Sequence, residues 1–65
     1  MDMRLTDFWN RMEERFGAAY AHSLAADYRL PALGATVDEA IASGVETKEI
    51  WRAVSAEFEM PAHLI

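Results

Sequence analysis

Glycines and prolines divide this sequence into short segments, and this division constrains its fold more strongly than any other feature. Gly17, Pro31, Gly44 and Pro61 each interrupt stretches that are rich in helix-forming residues. Proline disfavours helical backbone in the residue before it, and glycine in a helix interior costs about 1 kcal/mol relative to alanine. We therefore predict several short helices. At Gly17 two interpretations stay open, because this glycine either breaks the helix or bends it.

Apolar side chains recur at helical spacing in four of these segments, with charged residues on the opposite side. The pattern predicts helices at about residues 5–16, 18–29, 37–43 and 47–58, followed by a tail over residues 59–65. No segment has the alternating pattern of a strand. The predicted fold class is therefore all-α, a compact bundle of four short helices, of which the last two form a helix-turn-helix-like corner.

The inward side of each predicted helix is defined by its large apolar residues. In the second helix Ala21 and Ala25 lie beside this stripe, and such small residues let a neighbouring helix approach closely. Trp9 and Trp51 occupy apolar helical positions typical of a core. Trp51 stands beside basic Arg52 near a helix start and is the better candidate of the two for partial exposure, so core and surface both stay open for it. The other residues predicted to face inward are Leu5, Phe8, Met12, Phe16, Tyr20, Leu24, Tyr28, Val37, Ala40, Ile41, Ile50, Val54 and Phe58.

Three helix ends carry recognisable capping residues. Thr6 is placed to cap the first helix. Thr36 and Glu39 have the spacing of a capping box, in which each side chain bonds the other residue's backbone N–H. Gly44 is expected to end the third helix, because glycine adopts the left-handed conformation that a C-terminal cap often requires.

Size and charge limit the classes of function. Residues 1–65 make a single small helical domain, and without cysteine it has no disulfide and no thiolate metal site. Six Lys and Arg against eleven Asp and Glu give a net charge of −5. Such a charge repels nucleic acid. It suits a basic protein surface, although acidity of this size more often serves only to maintain solubility. A signal peptide's apolar stretch and a membrane span of roughly 20 residues are both missing, which favours a cytoplasmic protein.

The corner between the last two helices fits the spacing of a helix-turn-helix motif. Ala40 allows a close helix crossing, Gly44 makes the turn and Ile50 locks the crossing. Any tight helix corner has these packing requirements, so the match does not by itself indicate DNA binding. Lys48 and Arg52 are outnumbered by three acids of the same segment, which are Glu46, Glu49 and Glu57. DNA binding is therefore the alternative and not the leading hypothesis.

Residues with catalytic or metal-binding potential are present but unsuitably spaced. Ser23 and Asp27 share a helix face, whereas His22 points about 100° away from Ser23 and cannot bridge them as in a nucleophilic triad. His22 and His63 belong to no metal-binding motif. We therefore predict no enzyme, no catalytic residue, no metal and no cofactor.

Several short motifs occur together in a fixed order, namely MRLT at residues 3–6, FGAAYA at 16–21, AADY at 25–28, IWRAV at 50–54 and FEMP at 58–61. With them the chain resembles the small actinobacterial family called domain of unknown function 3046. The resemblance implies a short cytoplasmic protein without an assigned active site, so it assigns no functional residue. It also implies a link to homologous recombination, because members' genes often lie near those of the recombinase and its regulator. Members usually begin at the position of Met3, which is therefore an alternative start to Met1.

The leading hypothesis is a small α-helical protein-interaction module, with proteins of DNA repair or recombination as expected partners. Its predicted surface is the exposed edge of the corner, formed by Lys48, Trp51 and Arg52 with an acidic rim of Glu46, Glu49 and Glu57. The many aromatic residues of this acidic chain favour a protein partner, because exposed aromatic side chains often dominate binding. Two alternatives stay open: a helix-turn-helix DNA-binding protein, and a structural homo-oligomer that buries surplus apolar surface.

Overall fold

A computed structural model describes residues 3–64 of the chain. Over this range its helices are α1 (Leu5–Phe16), α2 (Ala18–Asp27), α3 (Val37–Ala42) and α4 (Thr47–Glu57), followed by a single 3-10 turn at Ala62–Leu64. Helix α1 packs against α2 and α4, and α3 packs against the same two helices. The predicted all-α bundle of four short helices is confirmed for the described residues. None of the described helices is long and apolar enough to cross a membrane.

Gly17 forms the boundary between α1 and α2 and breaks the helix. It has a φ of +86° and a ψ of 149°, a combination that glycine adopts and other residues disfavour. Its N–H bonds the Glu13 carbonyl and closes α1, while its own carbonyl accepts the Ala21 N–H and opens α2, both at 2.8 Å. The alternative of one longer, bent helix is therefore wrong.

The chain leaves helical geometry at Tyr28, so α2 ends at Asp27, two residues before its predicted end. Tyr28 already has extended backbone angles, with φ −91° and ψ 118°. Pro31 disfavours helical backbone at Leu30, and the Leu30 N–H instead bonds the Ala35 carbonyl at 2.9 Å. Leu30 is 1% exposed and anchors this loop in the core.

Both ends of α3 have the predicted caps. The Glu39 N–H donates to Thr36 Oγ1 at 3.1 Å, and the Thr36 N–H donates to Glu39 Oε1 at 2.9 Å. Gly44, at φ +83°, ends the helix in a Schellman motif in which the Val45 N–H bonds the Ala40 carbonyl at 3.0 Å. The capping box and the glycine terminus are therefore confirmed.

The predicted cap at Thr6 is wrong. Helix α1 already begins at Leu5, with Arg4 as its N-cap and no side chain bonded to the first backbone donors. The Arg4 carbonyl accepts the Phe8 N–H at 3.0 Å, and this turn holds Phe8 in the core, where it is fully buried. Thr6 therefore lies inside the first turn, and Asp7 beside it keeps a favourable position in the helix dipole.

Trp51 lies in the core, so of the two interpretations left open partial exposure is wrong, and Trp51 does not belong to the predicted partner surface. It is 4% exposed, and its ring meets Phe8 edge to face at 5.8 Å between centroids. Its Nε1–H donates to the Leu64 carbonyl at 2.8 Å. Leu64 is itself 4% exposed. The tail therefore docks on α4 and covers the indole, which the local pattern around Trp51 did not indicate; Ile65 of the predicted tail lies outside the described residues.

The rest of the predicted core is largely confirmed, with two exceptions at its edge. Leu5 is 44% exposed and Tyr20 is 56% exposed. Ala21 and Ala25 are fully buried, so α2 meets its neighbours through these small residues and Tyr20 is left at the flank of the contact. The buried apolar residues of the described chain are Phe8, Met12, Ala21, Leu24, Ala25, Leu30, Val37, Ala40, Ile50, Trp51, Ala53, Val54 and Leu64.

Candidate interaction surface

The surface predicted on α4 keeps charged residues but loses its apolar centre. Lys48 and Arg52 lie one turn apart on the same side of the helix, and neither forms an ion pair with any residue from 3 to 64. Glu46 and Glu49 are exposed at the start of the helix. Trp51 does not join them, because the tail covers it. What remains is a small patch of mixed charge without an aromatic anchor.

A second surface lies at the ends of helices α1, α2 and α4. It consists of four aromatic residues, which we call the aromatic face: Phe16, Tyr20, Tyr28 and Phe58. Phe16 ends α1, Tyr20 lies in the first turn of α2, Tyr28 follows α2, and Phe58 follows α4. The ring centroids are 5.9 Å apart for Phe16 and Tyr20, 5.2 Å for Phe16 and Phe58, and 5.2 Å for Phe58 and Tyr28. These separations are favourable for aromatic pairs. The four rings therefore form one continuous cluster.

Local backbone breaks produce this cluster. Gly17 turns the chain between Phe16 and Tyr20, so that the two rings meet edge to face at an interplanar angle of 66°. The extended backbone at Tyr28 and Phe58 ends both helices there. Tyr20 remains exposed, and the other three rings are half-buried.

A groove of about 220 Å³ runs along α2 between the two tyrosines of the aromatic face. It is lined by Tyr20, Ser23, Leu24, Asp27 and Tyr28. Ser23 and Asp27 are four residues apart on the helix, so both present their side chains on one face. Their oxygens form no hydrogen bond or ion pair with any residue in the described part of the chain. The groove therefore combines aromatic walls with a carboxylate that has no internal partner.

One acidic and one basic side chain contact the aromatic face. The Tyr28 hydroxyl donates to the Glu57 carboxylate, and this hydrogen bond is the main reason that the pKa of Tyr28 is raised above its usual value. Arg15, the basic residue of this region, donates from Nε to the Glu59 carbonyl at 2.8 Å and lies 4.7 Å over the Phe16 ring. Glu57, which was predicted to belong to the surface on α4, therefore lies beside the aromatic face and bonds Tyr28.

Comparison with known proteins gives a family. Residues 3–63 match the family described as "Protein of unknown function (DUF3046)". The chain belongs to the DUF3046 family. The match begins at Met3, and the resemblance predicted from the sequence is confirmed. No curated protein and no solved structure matches the chain.

The two histidines of this DUF3046 protein lie in separate side-chain pairs. His22 stacks on Trp9 with the ring centroids 4.5 Å apart, and its Nε2 lies 3.2 Å from Glu13 Oε2. His63 pairs with Glu14 across the tail. Since His22 lies against α1 rather than in the groove with Ser23, the structure does not assemble a nucleophilic triad from these residues.

A larger cleft lies between α1 and the tail, with a volume of about 530 Å³. Its walls come from Glu14 and Arg15 on one side and from residues 59–61, His63 and Leu64 on the other. The His63–Glu14 pair and the bond from Arg15 to the Glu59 carbonyl join these walls. The polar groups of this cleft therefore fix the tail in place, and we assign it a structural role.

Sequence reasoning missed the aromatic face, although part of its signal was present. Tyr20, Leu24 and Tyr28 form an apolar stripe, and this pattern predicts core positions for all three. The neighbouring Ala21 and Ala25 indicate a close helix contact, and such a contact moves the larger tyrosines to its edge. Phe58 joins the face through tertiary packing, which no local pattern indicates.

Proposed function

We propose that this DUF3046 protein is a small cytoplasmic interaction module that binds another protein through its aromatic face. The observation that carries the proposal is Tyr20, which stays 56% exposed while its ring packs on Phe16. A tyrosine held by neighbouring rings loses little conformational freedom on binding, and tyrosine is enriched among the residues that dominate interface energies. The groove beside Tyr20 adds a concave element that a partner side chain can enter.

The charge of the surface favours a basic partner. Asp27 lines the groove, Glu57 bonds Tyr28, and the whole chain has a net charge of −5. Complementary charge speeds association and disfavours acidic competitors. Proteins of DNA repair or recombination fit this requirement, because a protein that contacts phosphates carries clustered Lys and Arg. We therefore propose such a protein as the partner.

Binding rather than catalysis is the role that the groove supports. A serine nucleophile needs a base within hydrogen-bonding reach, and the base needs a group that orients it. His22, the nearest histidine in sequence to Ser23, is engaged with Trp9 and Glu13. We accordingly propose a non-enzymatic role for Ser23 and Asp27, as contacts of a bound partner.

The experiment is a quantitative affinity capture from a lysate of the source organism, with three variants that address different surfaces. Tyr20→Ala removes the exposed ring of the aromatic face, Arg52→Ala changes the patch on α4, and Asn10→Ala changes an exposed position of α1 outside both. Circular dichroism first establishes that all three are folded. The proposal predicts that one set of proteins is lost with Tyr20→Ala and retained with the other two. Retention of every captured protein by Tyr20→Ala contradicts it.

DNA binding through α4 is a second candidate, favoured by one observation. Lys48 and Arg52 have no ion-pair partner among residues 3–64, while Glu57 is engaged with Tyr28. Ala40 and Ile50 are buried at the corner and Gly44 makes its turn, as a helix-turn-helix requires. Titration of a labelled duplex at low and high salt tests this candidate, since phosphate contacts weaken steeply with salt. Absence of binding at low salt eliminates it.

A homo-oligomer is the remaining alternative, and the aromatic face would then pair with a second copy. Light scattering over a concentration series distinguishes this case. A mass that rises with concentration for the wild type but not for Tyr20→Ala assigns the face to self-association. A constant monomer mass leaves a different protein as the partner.

A further inference from the structure

The groove between Tyr20 and Tyr28 has the chemistry of a site for a cationic side chain. Tyrosine rings attract cations through their π faces, and a carboxylate nearby adds charge and hydrogen-bond acceptors. Here Tyr20 and Tyr28 stand at the two ends of the groove, with the Asp27 carboxylate and the Ser23 hydroxyl along it. Leu24, only 6% exposed, lines the groove between them.

The basic residues near the groove in sequence are all engaged elsewhere. Arg29 donates to the Gly34 carbonyl at 3.2 Å and lies 3.6 Å from Glu39. His22 pairs with Glu13 on the side facing α1. Arg15 is fixed to the Glu59 carbonyl. Within residues 3–64, Asp27 is thus left without a cation of its own.

The aromatic face already holds one internal cation. The Arg15 guanidinium lies 4.7 Å from the centroid of the Phe16 ring, within the range of a cation–π interaction. Phe16 is the ring on which Tyr20 packs. The groove likewise has aromatic rings, but no cation from residues 3–64 pairs with the Asp27 carboxylate beside them.

We propose that the groove receives an arginine side chain of the partner protein, with its guanidinium paired to Asp27 and stacked on Tyr20. Arginine is favoured over lysine because its planar guanidinium can both stack on a ring and donate two parallel hydrogen bonds to one carboxylate. The inference rests on the proposed function, since it names the residue by which a basic partner engages the aromatic face. In this site the Tyr20 ring supplies binding affinity, and the Asp27 carboxylate selects a positively charged side chain.

Two short blocked peptides test this site on the full chain by nuclear magnetic resonance. One is acetyl-Ala-Arg-Ala-amide, and the other carries citrulline, a neutral analogue of the same shape, in place of arginine. The arginine peptide is expected to shift the backbone signals of Ser23, Asp27 and Tyr28 in a saturable manner. The citrulline peptide is expected to bind at least about fivefold more weakly, as loss of one charge-assisted interaction implies. Equal binding of the two peptides, or shifts confined to other regions, overturns the proposal.

Variants separate a defined site from general attraction to an acidic protein. Asp27→Asn is expected to weaken the arginine peptide about fivefold or more, whereas Asp38→Asn, the same charge change at an exposed position of α3, leaves it nearly unchanged. Tyr20→Phe keeps the ring and retains binding, and Tyr20→Ala loses it. An equal effect of Asp27→Asn and Asp38→Asn contradicts the site.

The two proposals fail in different ways. If a captured partner depends on Tyr20 but is retained in full by Asp27→Asn, the aromatic face binds proteins and the arginine site is wrong. If the arginine peptide binds in the groove but no captured protein depends on Tyr20, the site is correct and the proposed function is wrong.

Discussion

The contact between Trp51 and the tail gives a prediction whose magnitude follows from the structure. Trp51→Phe removes the Nε1–H that donates to the Leu64 carbonyl at 2.8 Å. It also replaces the indole, which is 4% exposed, by a smaller phenyl ring. The lost hydrogen bond accounts for about 1 kcal/mol and the packing defect for about 1 kcal/mol more. We expect the free energy of unfolding to fall by about 2 kcal/mol, which is a large part of the total for so small a domain.

A chain that ends after Pro61 separates the two contributions. It lacks Leu64, whose burial is worth about 2 kcal/mol, and it also lacks the acceptor for the indole N–H. In this shortened chain Trp51→Phe should cost about 1 kcal/mol, because the hydrogen bond is already gone. The double-mutant cycle therefore predicts a coupling of about 1 kcal/mol between Trp51 and the tail.

Urea unfolding followed by far-ultraviolet circular dichroism measures these values, since Trp9 complicates fluorescence. All proteins are measured in the same concentration of a stabilising osmolyte, so that the least stable retains a native baseline. Trp9→Phe serves as the control, because Trp9 stacks on His22 and its change should cost the same in both chains. An equal cost of Trp51→Phe in the full and shortened chains refutes the contact with the tail.

Three further predictions address the helix ends and the aromatic face. Gly17→Ala forces a side chain into backbone at φ +86° and ψ 149°, and it should cost about 1 to 3 kcal/mol in urea unfolding; an unchanged midpoint contradicts the break at this residue. The pKa of the Glu39 carboxyl is lowered mainly by the hydrogen bond from the Thr36 N–H and then by the charge of Arg29. The ionised Glu39 carboxylate therefore stabilises the fold fully above its usual pKa of 4.5, and this stabilisation is lost as the pH falls through the lowered pKa. Glu39→Gln should therefore reduce the loss of stability between neutral pH and about pH 3, and an unaltered acid dependence speaks against the cap. The pKa of Tyr28 is raised mainly by its hydrogen bond to Glu57, so Glu57→Gln should bring the alkaline titration of Tyr28, followed by tyrosinate absorbance, back toward 10.0; no movement toward that value contradicts the contact.

Local sequence signals predicted most elements of this fold that depend on neighbouring residues, with the cap at Thr6 as the exception. The capping box at Thr36 and Glu39 and the glycine terminus at Gly44 involve residues that are close in the chain, and both were confirmed. The all-α class followed from the helical spacing of apolar residues in the same way. Such signals fix the position of a helix but not the neighbours of each side chain.

The candidate surface was harder to predict, because its residues are brought together by tertiary packing. The position of Trp51 beside Arg52 is compatible with partial exposure. However, its indole N–H bonds the carbonyl of Leu64, 13 residues further along the chain, and the tail covers the ring. Tyr28 and Phe58 are distant in sequence and meet through the extended backbone that ends α2 and α4. The net charge of −5 is fixed by composition and needs no fold, but it is compatible both with a basic partner and with a surface that is acidic for solubility alone.

Photo-crosslinking at the aromatic face determines whether this surface contacts a partner protein in the cell. A photoreactive benzoyl-phenylalanine replaces Tyr20 in one protein, Arg52 in a second and Asn10 in a third, and each is irradiated in cells of the source organism. We expect a discrete adduct with a basic protein from position 20 that is absent from positions 52 and 10. Adducts that are the same at all three positions, or that form from position 52 alone, contradict the assignment of the aromatic face as the binding surface.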